Sequence, residues 1–175
     1  MLTAQDSEDL RRSSLEHLWM NSADWAQMAE EGGPSIVVSA KGVKFTDSEG
    51  NTLIDGLAGY GSVAVGYGRT EIAEAIRDQM IKLAYFPDRT TTEPLILLAE
   101  KLAKLAPGSL ERTWAVTGGS EANETAIKIA RAYHKRNSEP GRYKIVSRRN
   151  SYHGSTGGVM FLGGTIRYPK LDFEP

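Results

Sequence analysis

The chain has 175 residues, 40% of them hydrophobic and 25% charged, with 21 Lys and Arg set against 22 Asp and Glu for a net charge of −1. That length suits one domain with its own core, and the near-neutral balance offers neither the basic field that attracts nucleic acid nor a polybasic stretch for a membrane surface. The absence of cysteine excludes disulfides, thiolate metal sites and cysteine nucleophiles together, and makes a reducing cytoplasm the expected compartment.

Residues 1–16 are polar and lack the apolar core of a secretory signal. No stretch is apolar for long enough to span a bilayer. His17, His134 and His153 are scattered, and no metal-ligand spacing is present, so no metal is expected.

Residues 1–33 read as a helical arm, with Leu10, Leu15, Leu18 and Trp19 as an apolar stripe that Trp25 and Met28 continue. Glu31-Gly32-Gly33-Pro34 ends it. Ile36–Phe45 reads as one strand. Asp47-Ser48-Glu49-Gly50-Asn51 has turn chemistry, and Leu53-Ile54-Asp55 returns as the second strand of a hairpin. Residues 56–68, with glycine at 56, 59, 61, 66 and 68, read as a close-packed loop. Thr70 is placed as the cap of a helix that points Ile72, Ile76, Met80 and Leu83 inward. A second helix follows Thr92, with Pro94 in its first turn and Leu95, Leu98, Ala99, Leu102 and Leu105 inward.

Arg112–Thr117 then reads as a strand, Ser120 to about Lys135 as a helix faced by Ala122, Ala126, Ile127, Ala130 and Tyr133, and Tyr143–Ser147 as another strand. Strand, helix and strand in that order predict a βαβ unit with a parallel pair. Val159-Met160-Phe161-Leu162 reads as helix or strand entering a core.

Chemistry concentrates at two places in this last unit. In Ala115-Val116-Thr117-Gly118-Gly119-Ser120-Glu121-Ala122-Asn123-Glu124 an apolar strand enters two glycines and a serine, and a helix leaves. A helix start presents unpaired N–H groups and a partial positive charge. Glycines let the backbone approach an anion or take positive φ, and Ser120 adds a hydroxyl donor while capping the helix. The bland alternative is a tight strand-to-helix turn that binds nothing. At the end of the following strand stands Asn150-Ser151-Tyr152-His153-Gly154. The C-terminal ends of parallel strands face the ligand crevice in open α/β sheets, so Tyr152 is placed to stack on a planar heterocycle. The alternatives are a half-buried loop tyrosine and, for His153, a hydrogen-bonded structural histidine.

These residues together resemble the class III (omega) aminotransferases, pyridoxal-phosphate enzymes of fold type I. The likeness rests on Thr117–Glu124 with Lys128 and Arg131 behind it, and on Tyr152-His153-Gly154. It also rests on Asp55-Gly56-x-Ala58-Gly59, Val65-Gly66-Tyr67-Gly68 and the hairpin residues Val43, Phe45, Asp47, Gly50 and Ile54. It implies an α/β fold: residues 1–68 as N-terminal arm, hairpin and glycine-rich segment, and 69–175 as the first part of a large cofactor-binding domain with a mostly parallel sheet, incomplete here. It further implies that Gly118, Gly119 and Ser120 hold the cofactor phosphate, that Tyr152 lies against the pyridine face with His153 beside it, and that Tyr60, Gly61 and Tyr85 border the substrate pocket. Gly61 stands where amine-accepting members often carry a large aromatic, and Asp88 and Arg89 where members carry apolar rings, which leaves pocket size and polarity open.

In the family a lysine holds the cofactor, and a carboxylate pairs with its pyridine nitrogen, both beyond the Tyr-His-Gly motif. After Gly154 this chain offers Lys170 and Asp172, neither in a matching motif, and Lys128 on the phosphate helix is no substitute. The expected role is therefore part of an aminotransferase for an amine or amino acid and a keto acid or aldehyde, completed by a homodimer or a complementing chain. An isolated chain is expected neither to fold stably nor to transaminate, since its sheet would keep an unpaired edge. Two other readings stay open: a non-catalytic phosphate-binding partner of a full-length relative, and an unrelated phosphate-ligand protein with a doubly wound sheet.

Overall fold

The computed structural model describes residues 2–20, 23–87 and 89–164. Asp88, Lys170 and Asp172 lie outside the described residues. The chain forms two compact units, Met1–Thr90 and Thr91–Pro175.

The first unit opens with α1 (Ala4–His17), started by a capping box in which the Thr3 hydroxyl accepts from the Asp6 N–H and the Asp6 carboxylate accepts from the Thr3 N–H. The single helical arm read from the sequence is two helices, since Leu18 is extended and a short α2 (Trp25–Glu30) follows, capped by Asp24. The expected apolar stripe is not the inward face. Leu10, Leu18 and Trp19 are exposed, and the buried positions of α1 are Ser7 and Ser14. Small serines allow close approach: the Ser7 hydroxyl reaches the Ser48 carbonyl, and Arg11 pairs with Glu49 across the same contact.

The predicted hairpin is a three-stranded antiparallel meander, β1 (Val37–Lys41), β2 (Lys44–Asp47) and β3 (Thr52–Ile54). The run 36–45 breaks because Gly42, at φ +60, opens a two-residue loop that pairs Lys41 with Lys44. Asp47 builds the second turn. Its carboxylate accepts from the N–H groups of Glu49 and Asn51 and from the Asn51 side chain, which leaves Gly50 at φ +87.

The glycine-rich segment is organised by one carboxylate. Asp55 accepts from the Leu57 and Gly59 N–H groups at 3.0 and 2.8 Å and from the Tyr67 hydroxyl at 2.7 Å. Tyr67 is fixed in turn by a reciprocal backbone pair with Gly42. Gly59, at φ +57, has Val63 against it so closely that an added Cβ would lie 2.9 Å from the Val63 side chain. After this loop α3 (Thr70–Lys82) begins one residue earlier in its capping than expected: Arg69 is the N-cap and Thr70 the first helical residue.

The second unit contains α4 (Glu93–Leu105), with Thr92 as N-cap and Pro94 in the first turn as predicted, α5 (Gly119–Arg136) and α6 (Gly157–Met160). The segments flanking α5 join no ladder among the described residues, so the expected parallel pair is not formed there. Strands linked by a crossover need not be neighbours, and each becomes sheet only beside a strand that takes its backbone groups. One of them is taken by a side chain: Arg131 Nε donates to the Tyr143 carbonyl at 3.1 Å.

Side-chain burial follows the same logic. Val159 of α6 is the one buried hydrophobic side chain among the described residues. Leu95, Leu98, Leu102 and Leu105 of α4 are exposed rather than inward, as are Ile72, Ile76 and Met80 of α3. The half-buried face of α5 runs through Ser120, Glu124, Ile127, Ala130 and His134, while Ala122, Ala126 and Tyr133 are exposed.

The Asp55–Tyr67 bond sets a titration. The phenol donor and the loop amides hold the Asp55 carboxyl below its ordinary value, and the carboxylate raises Tyr67 above its usual 10.0. Asp55 thus contributes stability above the ordinary carboxylate range that is lost as pH falls through its lowered value; Tyr67 contributes below 10.0 and loses it as pH rises through its raised value. Ultraviolet titration of wild type minus Tyr67→Phe is expected to show one phenol ionising later than the others. Asp55→Asn should return it toward the ordinary range, and an unchanged midpoint would refute the coupling.

Candidate functional site

The turn expected to hold a phosphate begins at Gly118, the N-cap of α5, whose φ of −170° and ψ of 174° are ordinary extended backbone. Positive φ is therefore not what the two glycines supply. Gly119 is the first helical residue, and a Cβ built on it meets nothing within 4 Å, so its outer face is open to a ligand. The first rung of the helix is the Ala122 N–H donating to the Gly118 carbonyl at 3.0 Å. The amides of Gly119, Ser120 and Glu121 precede it and belong to the positively polarised helix start.

Ser120 is the second helical residue, not the cap. Its hydroxyl oxygen accepts from the Ser155 N–H at 3.1 Å. A hydroxyl has one hydrogen to give; with the oxygen held by an amide, that hydrogen is left for an acceptor such as a phosphate oxygen. Ser155 follows directly on the Tyr152-His153-Gly154 segment, so this bond joins the phosphate turn to the segment expected to carry the ring contact.

Gly154 is buried, at φ +140, and fills the contact itself. A Cβ there would lie 2.5 Å from a Val159 methyl, 2.7 Å from the Ser120 hydroxyl and 3.0 Å from the Ser120 Cα. Two further residues of α5 reach the same segment. Asn123 Nδ2 donates to the His153 carbonyl at 2.7 Å. Glu124 Oε1 accepts from the Thr156 hydroxyl at 2.8 Å and from the Gly158 and Val159 N–H groups at 2.9 and 3.2 Å. The Thr156 hydroxyl first, and then these amides, hold the Glu124 carboxyl below its ordinary value.

His153 is half-buried, and its ring is oriented by Ser151. The Ser151 hydroxyl donates to the Arg148 carbonyl at 2.5 Å, so at 3.0 Å from His153 Nε2 it serves as acceptor, which assigns the proton to Nε2. Tyr152 is 59% exposed, leaving ring surface available to a ligand.

In the first unit, Tyr60 is 77% exposed at φ +56 and helps line a cavity of about 250 Å³ with Val37, Phe45, Asp55, Leu57 and Tyr67. Gly61 adjoins it at φ +81. Tyr85, beyond the end of α3, does not line that cavity and is exposed. Arg89 has φ +72. No helix among the described residues is long and apolar enough to cross a membrane, and none of their side chains group into a metal site.

Asn123, Glu124 and Gly154 stand inside the motifs quoted from the sequence, yet spacing had assigned them no role. A signal existed for two of them. Ser120, Asn123 and Glu124 lie at i, i+3 and i+4, one polar patch on the start of an otherwise amphipathic helix. The acceptor pattern of Glu124 depends on a turn formed more than thirty residues away, which no local pattern reveals.

A small sheet, a glycine-rich loop and the Gly118-Gly119-Ser120 start of α5 held against a Tyr-His-Gly segment define part of an α/β transferase of fold type I. The family model for class III aminotransferases matches residues 27–175, and the chain belongs to that family. It is 39% identical over 172 residues to a probable aminotransferase of Mycobacterium tuberculosis, covering 98% of this chain and 36% of the relative. It is 34% identical to the putrescine–pyruvate aminotransferase of Pseudomonas aeruginosa, covering 93% of this chain and 36% of that protein. Among solved structures, a Bacillus anthracis aminotransferase superposes with a TM-score of 0.91 at 35% identity, over 100% of this chain and 38% of that one. A thermostable (S)-enantioselective omega-transaminase from Thermomicrobium roseum gives a TM-score of 0.87 at 39% identity, over 94% and 36%. The chain therefore spans somewhat over a third of the length of these relatives.

Gly154→Ala tests the contact. The positive φ and the three close atoms predict displacement of residues 153–156 from α5. Hydrogen exchange at the Ser155 amide should accelerate at least about tenfold, the equivalent of ~1.4 kcal/mol; exchange as slow as wild type would show that the contact is not maintained in solution.

Proposed function

We propose that this chain supplies the pyridoxal-phosphate site of a class III aminotransferase, which moves an amino group between an amine or amino acid and a keto acid or aldehyde. The observation that carries the reading is the Ser120–Ser155 bond. It brings the phosphate turn to the Tyr152 segment and leaves the Ser120 hydroxyl as a donor. The residues fit a phosphate monoester. Gly119 is open on its outer face, the amides of Gly119, Ser120 and Glu121 offer directed donors, and the helix start favours the dianion.

When bound, the cofactor supplies the electron sink for amino transfer. The residues of this chain bind and orient it: Gly118, Gly119 and Ser120 at the phosphate, Tyr152 on the ring face, and His153 beside it. Tyr60 and Gly61 border the substrate pocket, with Tyr85 near it. No lysine is assigned here to the cofactor. Residues outside the given sequence provide it in this reading, and the exposed apolar faces of α3 and α4 are the kind of surface that such residues cover. Relatives named for putrescine, hypotaurine or taurine, and β-alanine each pair that amine with pyruvate, which supports a small keto acid on the acceptor side and leaves the amine open.

Equilibrium dialysis of the full chain against pyridoxal phosphate, pyridoxal and inorganic phosphate tests this reading. Ser120→Ala removes one hydrogen bond to a charged group, worth about 1.5–3 kcal/mol. It should weaken pyridoxal phosphate about 10- to 100-fold and pyridoxal by a smaller factor, through the lost Ser155 tether. Tyr152→Ala should weaken pyridoxal phosphate and pyridoxal alike, about fivefold for a loss of ~1 kcal/mol, and spare inorganic phosphate. Equal binding of pyridoxal phosphate by wild type and both variants would overturn the assignment.

A further inference from the structure

The first two turns of α5 hold two kinds of polar group. The early amides and the Ser120 hydroxyl face the phosphate in the reading above. Asn123 and Glu124, one turn later on the same side, have bonds to the 153–159 segment and none to the phosphate turn. Three donors converge on a single Glu124 oxygen, two of them the amides that open α6 and the third the hydroxyl of Thr156, the N-cap of α6. Glu124 thereby replaces the side-chain cap that Thr156 does not supply to its own helix. Gly158 makes room for it: a Cβ there would lie 2.5 Å from Glu124 Oε2 and 2.8 Å from Oε1. Val159, the buried side chain of α6, is carried by the same bond network onto Gly154.

On the downstream side Tyr152 and His153 are tethered to α5 through Asn123 at the His153 carbonyl, Ser120 at the Ser155 amide and Glu124 at Thr156–Val159. We infer that Glu124 is a positioning residue for the cofactor ring: it fixes the Tyr152–His153 segment at the height above the phosphate turn where the Tyr152 ring meets the pyridine. The inference rests on the cofactor reading of the preceding subsection and assigns the ring contact, not the phosphate contact, to this carboxylate. A carboxylate suits the task because its charge is spread over three short donors rather than aimed at the bound dianion.

The assignment separates ring from phosphate, and the experiment does the same. In equilibrium dialysis with the full chain, Glu124→Ala is expected to weaken pyridoxal phosphate and pyridoxal by the same factor, about as much as Tyr152→Ala, while inorganic phosphate binds as to wild type. The double variant Glu124→Ala/Tyr152→Ala should be no weaker than either single one, since both remove the same contact. Glu124→Gln keeps an acceptor oxygen and should recover most of the affinity. Gly158→Ala disturbs the same carboxylate from the α6 side, without a change on α5, and should reproduce the loss. Additive effects of Glu124→Ala and Tyr152→Ala, or an equal loss for inorganic phosphate, would overturn the positioning role and leave the cofactor reading intact. A wild-type chain that binds neither pyridoxal phosphate nor pyridoxal would overturn both.

Discussion

The second unit depends on the attachment of the 153–159 segment to the first two turns of α5. Three side chains of one helix face make it: the Ser120 hydroxyl, the Asn123 amide and the Glu124 carboxylate. None is a large hydrophobic group, and the single apolar contribution is Val159 packed on Gly154. The attachment is therefore directional rather than area-driven. Each of its bonds has an angle to satisfy, which is why a segment with so little buried apolar surface adopts one conformation. A site assembled this way tolerates little displacement, because a missing Cβ at 154 and another at 158 are part of the fit.

The first unit uses the same device. Asp55 gathers two amides and a phenol to shape the glycine-rich loop beneath Tyr60, as Glu124 gathers two amides and a hydroxyl beside Tyr152. In both places a carboxylate held below its ordinary pKa orders backbone that has no ladder to join. Each lies next to a residue that the family resemblance associates with ligand. Glycine-rich segments are otherwise the entropically costly parts of a chain. Multidentate acceptors are a compact way to order them without the bulk that would fill a pocket.

Local signals in the sequence were legible where the chemistry is local. Thr92 and Pro94 marked the start of α4, the Asp47–Asn51 run marked a turn, and Gly118-Gly119-Ser120 marked the strand-to-helix junction. Gly42 was passed over because a run of apolar residues on both sides read as one strand. The inward faces of α1, α3 and α4, and part of that of α5, were misjudged for one reason. Periodicity shows that a helix has an apolar stripe but not what the stripe packs against. Leu10 and Leu18 are exposed while Ser7 and Ser14 are buried, because closeness of approach, not hydrophobicity, decided the α1 contact. The βαβ pair failed as a ladder for a related reason, since strand propensity does not supply a neighbour. The family motifs were legible as a set because their order and spacing along the chain go together, and the match over residues 27–175 bears out the family they resemble.

The exposed apolar faces then acquire a single explanation. A helix such as α4, with Leu95, Ile96, Leu97, Leu98, Leu102 and Leu105 all open, is apolar around much of its circumference. Helices of that kind are stable when enclosed, and exposed patches of that extent mark surfaces made for contact. The chain spans somewhat over a third of its relatives' length, yet a TM-score of 0.91 against one of them shows that its backbone follows the path taken in the longer chain. Local devices, caps, carboxylate-ordered glycine loops and the α5 attachment, supply most of the side-chain bonding among the described residues. The start of α5 and the Tyr152 segment are held together by directed hydrogen bonds that do not need an apolar core around them.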